Sequence, residues 1–533
     1  MVMKARYQET IYLILCIISA ITIRFVFAPY HLQICVIPAL VTLFFVVGKS
    51  KYPFICGFIY GCTKAIAISV WLLNTLTSHY GLSWLIAVFF YSIAIVIPYG
   101  IWTGIFCKCI QSPITLLCKS KNISRIIALS LLTASIFTTL EWVRINISPE
   151  NSWGFFPAAF SNIPELMELA AYIGGIGLHF IVVFLCSILI CAVQNINNQI
   201  IIFKTSAIAI LTVFASFITG GMLLSHLNNA EDADGQKIEI ALIHPVISQK
   251  QRWNSAFDQQ ILATYRQMSL QAFDDNHSDN IRLIIWPETA ITAGIQDSPL
   301  TKAVISEITK KTGAWLLTGS PAFIGKGQGR KIYNSAFLYS PDGEIKGRYD
   351  KNFLLPFAER KYALFSLGGY QQSQLYESGK YPTPISLIDK GKKISLATMI
   401  CYEIGIPQLS HDIISQQSNL IVNISNDAWF GNSSESEQQL DMLILRSAEY
   451  GLPAIRSTGY GVAALIDNAH VITKSDIDNK SIIKGTINLQ PYQPTLWAQL
   501  PNWPIIFTAG IVFIYLLMRI FRIDPSYLVC TEE

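Results

Sequence analysis

The chain has 533 residues, of which 52% are hydrophobic and only 14% are charged, and its mean hydropathy is +0.41. This composition excludes an ordinary soluble enzyme, and a net charge of only +4 without a basic patch excludes a typical nucleic-acid-binding protein. Residues 228–500 hold 25 Lys/Arg and 27 Asp/Glu, whereas the flanking regions together hold 14 and 8. We therefore predict a seven-helix membrane region at 1–227, a globular domain at 228–500, and an eighth membrane helix with a cytoplasmic tail at 501–533.

Crossing the hydrocarbon of a bilayer as a helix takes about 20 mostly apolar residues. Eight segments reach or approach this length. They lie near residues 10–28, 32–48, 53–75, 82–106, 125–144, 167–193, 201–225 and 504–521. The first segment is too long for a removable signal peptide and lacks the small-residue cleavage site, so we interpret it as an anchor.

Lys and Arg are concentrated in every second connection between these segments. They are Lys4, Arg6, Lys49, Lys51, Lys108, Lys119, Lys121, Arg125, Lys204, Arg519 and Arg522. The intervening connections, at 29–32, 74–82 and 146–164, contain neither residue. Because basic connections are retained in the cytoplasm, the alternation predicts a cytoplasmic N-terminus and a globular domain outside the cytoplasm.

The globular domain shows short β-rich runs separated by polar helical stretches. The predicted strands lie at 238–244, 281–286, 314–319, 333–339, 344–349, 394–400 and 420–424, and the predicted helices near 255–274 and 436–450. Pro341-Asp342-Gly343 is a turn signal between two of these strands and predicts a hairpin. Strands that alternate with helices favour an α/β domain of layered sheets covered by helices.

Cys401 is the one cysteine between residues 228 and 500, and it ends an apolar run. A thiol with a pKa of about 8.5 is mostly protonated at neutral pH, so a nucleophilic cysteine needs a base and a positive group nearby. Glu288 can be that base, and Lys351 can stabilise the oxyanion of a tetrahedral intermediate. Each residue alone has an ordinary interpretation, as a packed thiol, a turn glutamate and a solvated lysine. Their combination favours acyl transfer.

The motifs around these residues resemble the carbon-nitrogen hydrolase (nitrilase) superfamily, in which Glu, Lys and Cys follow one another in this order. The matching blocks are Trp286-Pro287-Glu288, Lys351 with Pro356-Phe357-Ala358-Glu359, Ile400-Cys401-Tyr402-Glu403, and the string from Asn423 to Gly431. The eight apolar segments resemble one membrane-bound family within it, the apolipoprotein N-acyltransferases. Further matches to that family are Phe27 to Tyr30, Glu141 to Arg144, Arg446 with Glu449, Arg456 to Thr458, and Asn502 to Pro504.

This resemblance implies a fold class: a multi-span α-helical membrane bundle of eight helices plus an α/β nitrilase-like αββα sandwich. It also implies a location in the bacterial inner membrane, with the catalytic domain at 228–500 on the periplasmic side. In the implied triad, Glu288 is the general base, Lys351 stabilises the oxyanion and Cys401 is the nucleophile.

The resemblance implies four supporting residues as well. Glu359 would be a second essential carboxylate that positions Lys351. Tyr402 and Glu403 flank the nucleophile and would orient it or the substrate. Trp253 matches a family aromatic that could hold an acyl chain, although ordinary packing at a helix start explains it equally well.

The implied reaction is ping-pong transfer of an acyl chain from a phospholipid, through a thioester on the cysteine, to the α-amine of a diacylglyceryl-cysteine prolipoprotein. The thioester stores the acyl group without ATP, so we expect no cofactor, and the eight histidines form no metal-like cluster in the sequence, so we expect no metal. The expected partners are the phospholipid donor, the prolipoprotein acceptor and the membrane, with no nucleic acid, and we expect a monomer.

Two other functions stay open at this point. A membrane-anchored amidase would use the same triad and let water resolve the acyl-enzyme, although a water-soluble amide needs one anchor rather than eight spans. A non-catalytic lipoprotein-binding or transport protein would not need an intact Glu-Lys-Cys set. The segment from Asn432 to Gln439 departs from the Gly-Pro-Trp-Gln-His-like run common in the family, which leaves the acceptor preference open.

Overall fold

The computed structural model describes residues 2–147, 153–230, 235–273, 279–355, 359 and 376–521. The described residues of Met1–Leu224 and Gln499–Glu533 form one compact unit, and those of Ser225–Ala498 form a second. Pro356, Phe357 and Ala358 of the predicted lysine motif, and the predicted tail from Arg522 onward, lie outside the described residues.

Among the described residues, the first unit is helical and the second contains both helices and strands. The helices are α1 Val2–Thr22, α2 Val36–Lys49, α3 Pro53–Ser69, α4 Trp71–Asn74, α5 Trp84–Tyr91, α6 Ile97–Lys119, α7 Ile123–Ile147, α8 Pro164–Gln194, α9 Gln199–Ala230, α10 Gln249–Arg252, α11 Asp258–Leu270, α12 Pro299–Thr312, α13 Pro407–Ile414, α14 Glu435–Tyr450, α15 Leu496–Gln499 and α16 Trp503–Ile520. The strands are β1 Gln236–His244, β2 Ile281–Ile285, β3 Trp315–Ile324, β4 Lys331–Tyr339, β5 Ile345–Asp350, β6 Ile385–Asp389, β7 Lys392–Ile400, β8 Leu420–Ser425, β9 Ala454–Thr458, β10 Ala464–Asp467, β11 His470–Lys474 and β12 Ser481–Leu489.

In the described part of the chain, six helical segments are long and apolar enough to cross a membrane. They are Arg6–Val26, Trp84–Lys119, Ile123–Ile147, Pro164–Gln194, Gln199–Leu223 and Trp503–Ile520. Pro53–Ser69 and Trp71–Ser78 make a seventh if this pair, bent by 58°, is one span. The remaining predicted segment, near 32–48, is the shorter apolar helix Gln33–Lys49. The helical membrane bundle is thus confirmed, whereas the count of eight spans is only approximate.

The fourth predicted segment is longer than its pattern indicated, since the helical stretch runs for 36 residues from Trp84 to Lys119. Lys108 and Lys119 therefore lie within a helix and not, as predicted, in the connection after it. The physical reason is that buried apolar residues such as Ile110 and Ile114 continue the packed face beyond residue 106.

The backbones of helices α3 and α6 pack closely at glycine residues on both helices. A Cβ atom built at Gly57 or Gly61 of α3 would lie 2.6 Å from a backbone oxygen of α6. A Cβ built at Gly100 of α6 would lie 2.5 Å from the Sγ atom of Cys62, and one at Gly104 would lie 2.9 Å from the Phe54 ring. Small residues four apart on both faces let two helix backbones pack closely, which drives helix association in lipid.

The second unit contains two six-stranded sheets. Their strand orders are β12-β1-β2-β3-β4-β5 and β11-β10-β9-β8-β7-β6. At the centre of each sheet three strands run parallel, β1-β2-β3 in the first and β7-β8-β9 in the second, and the outer strands pair antiparallel. The Oγ atom of Ser457 on β9 donates to the backbone oxygen of Ile285 on β2, at 3.3 Å, where the sheets face each other.

Helices cover the outer faces of both sheets. Ile261 and Tyr265 of α11 and Ile305 of α12 pack into one buried cluster with Ile284 and Leu316 of the first sheet. Helices α13 and α14 contact the second sheet at β7 and β9. The predicted four-layer sandwich is confirmed, and β6 and β9 to β12 are strands that the sequence patterns did not predict.

Candidate active site

The three residues of the predicted triad each follow a strand. Glu288 lies in the turn after β2, Lys351 directly follows β5, and Cys401 directly follows β7. The carboxyl ends of parallel strands are where open α/β sheets place their ligand sites. All three side chains are buried, and the structure brings them into one cluster.

The ammonium group of Lys351 is held between two carboxylates. Its Nζ atom lies 2.8 Å from Oε2 and 2.9 Å from Oε1 of Glu359, and 3.5 Å from Oε1 of Glu288. The Lys351 side chain is only 2% exposed. A buried ammonium needs paired charges to offset its lost hydration, and the two glutamates provide them. The geometry predicted for Glu359, contact with Lys351, is therefore present.

Asn334 on β4 links the two glutamates. Its Nδ2 atom donates to Oε1 of Glu288 at 2.8 Å and to Oε1 of Glu359 at 3.0 Å. Its backbone oxygen accepts from the backbone N–H of Lys351 at 2.8 Å. Sequence reasoning missed this residue because it stands beside Ser335 in a strand with no recognisable motif.

The protonation of the cluster follows from its burial. Burial raises the pKa of Glu288, and the opposing effect of Lys351 does not cancel it. Burial alone would lower the pKa of Lys351, but Glu359 and Glu288 raise it well above its ordinary value, so the ammonium stays charged. Burial and the charge of Glu288 also raise the pKa of the Cys401 thiol. The resting thiol is therefore neutral and needs a base, and a glutamate with a raised pKa is a stronger one.

Cys401 occupies a strained backbone position at the start of a 3₁₀ turn that spans Cys401–Gly405. Its φ angle is 57°, in the left-handed region that residues with a side chain rarely adopt. Such a conformation costs about 1–3 kcal/mol and persists only where surrounding contacts hold it. One of these contacts is a hydrogen bond from Nδ2 of Asn423 to the backbone oxygen of Cys401, at 3.0 Å.

A buried ion pair between Arg456 and Asp427 holds the side chain of Asn423 in place. The guanidinium of Arg456 donates to Oδ1 of Asn423 and, at 2.8 Å, to Oδ2 of Asp427. Asp427 also accepts from the hydroxyl of Ser425 at 2.6 Å and from the hydroxyl of Ser436. The motif match had included Asn423, Asp427 and Arg456 without assigning them a role, and the structure connects them to the nucleophile turn.

Glu403 accepts hydrogen bonds from four donors, and none of the ion pairs between described residues includes it. The backbone N–H groups of Ile400, Asn352 and Phe353 donate to its carboxylate at 2.7, 2.7 and 3.0 Å, and the Tyr349 hydroxyl donates at 3.0 Å. Burial raises the pKa of Glu403 to about 7, against these donors. Glu403 thus braces the turn beside Cys401, and the predicted role of orienting the nucleophile stays a proposal.

The two predicted aromatic residues differ in exposure. Tyr402 is buried in the Cys401–Gly405 turn, where its ring lies close enough to Gly405 that a Cβ there would be 2.9 Å from it. Trp253 follows α10 and is 46% exposed, so a large apolar surface is open. Neither observation tests the substrate roles predicted for these side chains.

The segment that departs from the family pattern contributes to the buried network. Helix α14 begins in it, at Glu435, and the Ser436 hydroxyl accepts from the backbone N–H of Val462 at 2.7 Å. The Glu435 side chain is fully buried, and burial together with Asp427 raises its pKa well above the ordinary value. The altered residues therefore reach the polar layer behind the nucleophile as well as the surface.

The site brings together a neutral thiol on a strained turn, a carboxylate of raised pKa and a fixed ammonium. This set can deprotonate the thiol, stabilise an oxyanion and form an acyl-enzyme.

Two family models match separate parts of the chain. The model described as carbon-nitrogen hydrolase matches residues 247–495, and the model described as apolipoprotein N-acyltransferase N-terminal domain matches residues 19–188. Both matches fall within the regions where the structure has the sandwich and the apolar helices.

Individual relatives extend these matches over most of the chain. An apolipoprotein N-acyltransferase of Rickettsia prowazekii is 27% identical over 528 residues, which cover 95% of this chain and 99% of that protein. One of Geobacter metallireducens is 26% identical over 444 residues, 82% of each chain. A solved carbon-nitrogen hydrolase from Helicobacter pylori is 16% identical to this chain, and the match covers 55% of this chain and 98% of that one with a TM-score of 0.36.

The membrane helices, the two-sheet domain and both family models agree in their positions along the chain. The chain is therefore similar to apolipoprotein N-acyltransferases over most of its length, and it is a multi-pass membrane protein with a carbon-nitrogen hydrolase domain.

Proposed function

We propose that this protein moves an acyl chain from a phospholipid, through a thioester on Cys401, to the α-amine of a diacylglyceryl-cysteine lipoprotein. The observation that carries the proposal is the buried contact of Lys351 with Glu288 and Glu359 beside a thiol on a left-handed turn. The names of the relatives supply the acceptor class.

In the first half of the reaction, the carboxylate of Glu288 takes the proton of the Cys401 thiol as sulfur bonds to the ester carbonyl carbon. The oxyanion that forms is stabilised by the ammonium of Lys351. The bond from the carbonyl carbon to the glycerol oxygen then breaks. That oxygen takes the proton from Glu288, and a lysophospholipid leaves the acyl-enzyme.

In the second half, the neutral α-amine of the lipoprotein attacks the thioester carbonyl. Glu288 accepts one proton from nitrogen, the carbon–sulfur bond breaks, and the same proton returns to sulfur. The products are an amide and the free thiol. Because Glu288 serves as base and acid in both halves, a pKa raised by burial suits it to both tasks.

The supporting residues have proposed roles as well. Glu359 and Asn334 hold the side chains of Lys351 and Glu288 in their relative positions, and Glu403 fixes the turn that carries the thiol. Tyr402 would line the reacting position, and the exposed ring of Trp253 would contact the acyl chain.

The membrane helices suit a lipid donor. Each buried CH₂ group of an acyl chain gains about 0.8 kcal/mol, so withdrawing a whole chain into water would be prohibitive. An enzyme that is itself held in the bilayer avoids this cost. We further propose the bacterial inner membrane as the location and the periplasmic side for the catalytic domain, as the alternation of basic connections favours. One chain supplies the whole triad, so a monomer suffices.

Intact mass spectrometry of the full-length protein, incubated with phospholipid vesicles, tests this proposal. We expect one acyl adduct that hydroxylamine cleaves and that Cys401→Ala lacks. A synthetic diacylglyceryl-cysteine peptide should then remove the adduct and become triacylated. Release of free fatty acid with no acylated peptide would favour the amidase. A wild-type protein that forms no adduct would contradict the thioester mechanism.

A further inference from the structure

Arg252, the last residue of α10, is a buried cation. Its side chain is 1% exposed, and none of the ion pairs between described residues includes it. Burying a guanidinium without a counter-charge costs several kcal/mol, so its contacts need a specific explanation.

The contacts of Arg252 are directed at the turn that carries Glu288. Its Nη1 atom donates to the backbone oxygen of Thr289 at 2.5 Å and to that of Glu288 at 3.3 Å. The guanidinium also interacts with the Tyr265 hydroxyl, whose pKa is raised by burial and partly lowered by Arg252. The guanidinium is a planar, rigid group, so a single Arg can hold two successive carbonyls in one orientation.

The turn itself is strained and closely packed. Thr289 has a φ of 47°, in the left-handed region. A Cβ built at Gly319 on β3 would lie 2.6 Å from the backbone nitrogen of Thr289 and 2.7 Å from Cα of Glu288. On the other side, a Cβ built at Gly459 would lie 2.4 Å from Nη2 of Arg252. The turn is therefore confined between the β3 backbone and Arg252, and strain of this kind persists only where neighbours hold it.

We infer that Arg252 is a positioning residue for the acylation step: it fixes the turn after β2 so that the carboxylate of Glu288 stays within reach of Lys351 and Cys401. The inference rests on the proposed function only in taking Glu288 as the base that deprotonates Cys401 during its acylation. It does not depend on whether an amine or water receives the acyl group.

The test measures acylation alone. Full-length protein in detergent reacts with a p-nitrophenyl acyl ester, the burst of nitrophenolate gives the acylation rate constant, and intact mass confirms the adduct on Cys401. Arg252→Met removes both hydrogen bonds, and Arg252→Lys keeps the charge but lacks the planar amino group whose Nη1 atom makes both bonds. The matched control is Arg282→Met, which removes another buried arginine, one that pairs with Glu239 and lies at the opposite end of β2.

For Arg252→Met we expect the rate constant to fall about 10- to 100-fold, as for other groups that orient a reacting residue. The half-saturating ester concentration should stay within about 2-fold, because substrate binding is not affected. The acid limb of the pH–rate profile should move to higher pH, since a carboxylate that drifts from Lys351 becomes harder to ionise. Arg252→Lys should be intermediate, and Arg282→Met should acylate at the wild-type rate.

A wild-type burst rate and pH profile in Arg252→Met would overturn the inference, and so would an equal loss in Arg282→Met. In a Glu288→Gln background, Arg252→Met should not lower the acylation rate constant further, because Arg252 acts through Glu288. A full additional decrease would also contradict the inference. A normal burst without transfer to the lipopeptide amine would defeat the proposed function and leave this inference standing. A wild type without any burst would overturn both.

Discussion

The carboxylate of Glu403 accepts a hydrogen bond from the backbone N–H of Asn352 at 2.7 Å. Asn352 directly follows Lys351, and Glu403 lies two residues after Cys401, so one buried acid ties the lysine loop to the nucleophile turn. The N–H of Ile400, immediately before Cys401, donates to the other oxygen of the same carboxylate at 2.7 Å. The relative position of thiol and ammonium thus depends on a residue whose hydrogen bonds go to the backbone beside each of them.

The raised pKa of Glu403 makes the stability of the folded protein depend on pH. Burial raises the pKa from an ordinary 4.5 to about 7, so the folded state holds a proton more tightly than the unfolded chain does. The stability contributed by protonated Glu403 is fully present below pH 4.5 and is lost as pH rises through about 7. From a shift of this size we expect a loss of roughly 3 kcal/mol over that window. Glu403→Gln should abolish the loss, measured as the wild type minus variant difference in unfolding free energy between pH 4.5 and 8. A difference that does not vary with pH would show that Glu403 is ionised throughout.

Replacing Glu288 by Gln should remove the base and keep the shape of the side chain. We expect thioester formation to slow by roughly 10²- to 10⁴-fold, the usual contribution of general acid–base catalysis. Single-turnover acylation, followed by intact mass, measures this directly. Glu344→Gln, on the exposed turn before β5, is the control and should acylate at the wild-type rate. A Glu288→Gln enzyme of unchanged rate would assign the base to another residue.

Asn334 should influence the pH dependence of the same step. Its Nδ2 atom stabilises the ionised form of Glu288, whose pKa burial already raises. Asn334→Leu removes that donor and should raise the pKa of Glu288 further. The acylation rate at pH 6 should therefore fall more than the rate at pH 8. Asn280→Leu is the control, because Asn280 donates to Glu239 away from the site, at 3.0 Å. Equal losses at both pH values would show that Asn334 acts by packing alone.

The ion pair between Arg456 and Asp427 should be essential for stability. Both side chains are at most 1% exposed, so Arg456→Met leaves a buried carboxylate without its cation. We expect a loss of about 3–5 kcal/mol in unfolding free energy. Adding Asp427→Asn to Arg456→Met should recover part of that loss. Lys346→Met, which breaks an exposed pair with Glu344, should leave the unfolding free energy close to the wild-type value. If Arg456→Met and Lys346→Met lowered the unfolding free energy by similar amounts, water would have to reach Asp427.

The membrane helices were predictable from local pattern because lipid imposes a simple requirement, about 20 apolar residues with every backbone group bonded internally. Their ends were less predictable. Lys108 lies within α6 and not in a connection, because the partners of α6, and not its own hydropathy, decide where its packed face stops. The bend between α3 and α4 likewise has no counterpart in composition.

The sequence by itself determined which residues carry the proposed chemistry. Glu288, Lys351 and Cys401 each stand in a short motif. The strands before Glu288 and Cys401 are apolar, and the turn signal Pro341-Asp342-Gly343 predicts the strand before Lys351. Only the tertiary structure decided what surrounds them. Asn334, Arg456 and Arg252 come from distant strands and a one-turn helix, and their side chains meet the site through sheet pairing and crossovers. A local pattern records the propensity of a segment, whereas burial and hydrogen bonding between segments far apart in the chain arise only when the sheets pack together.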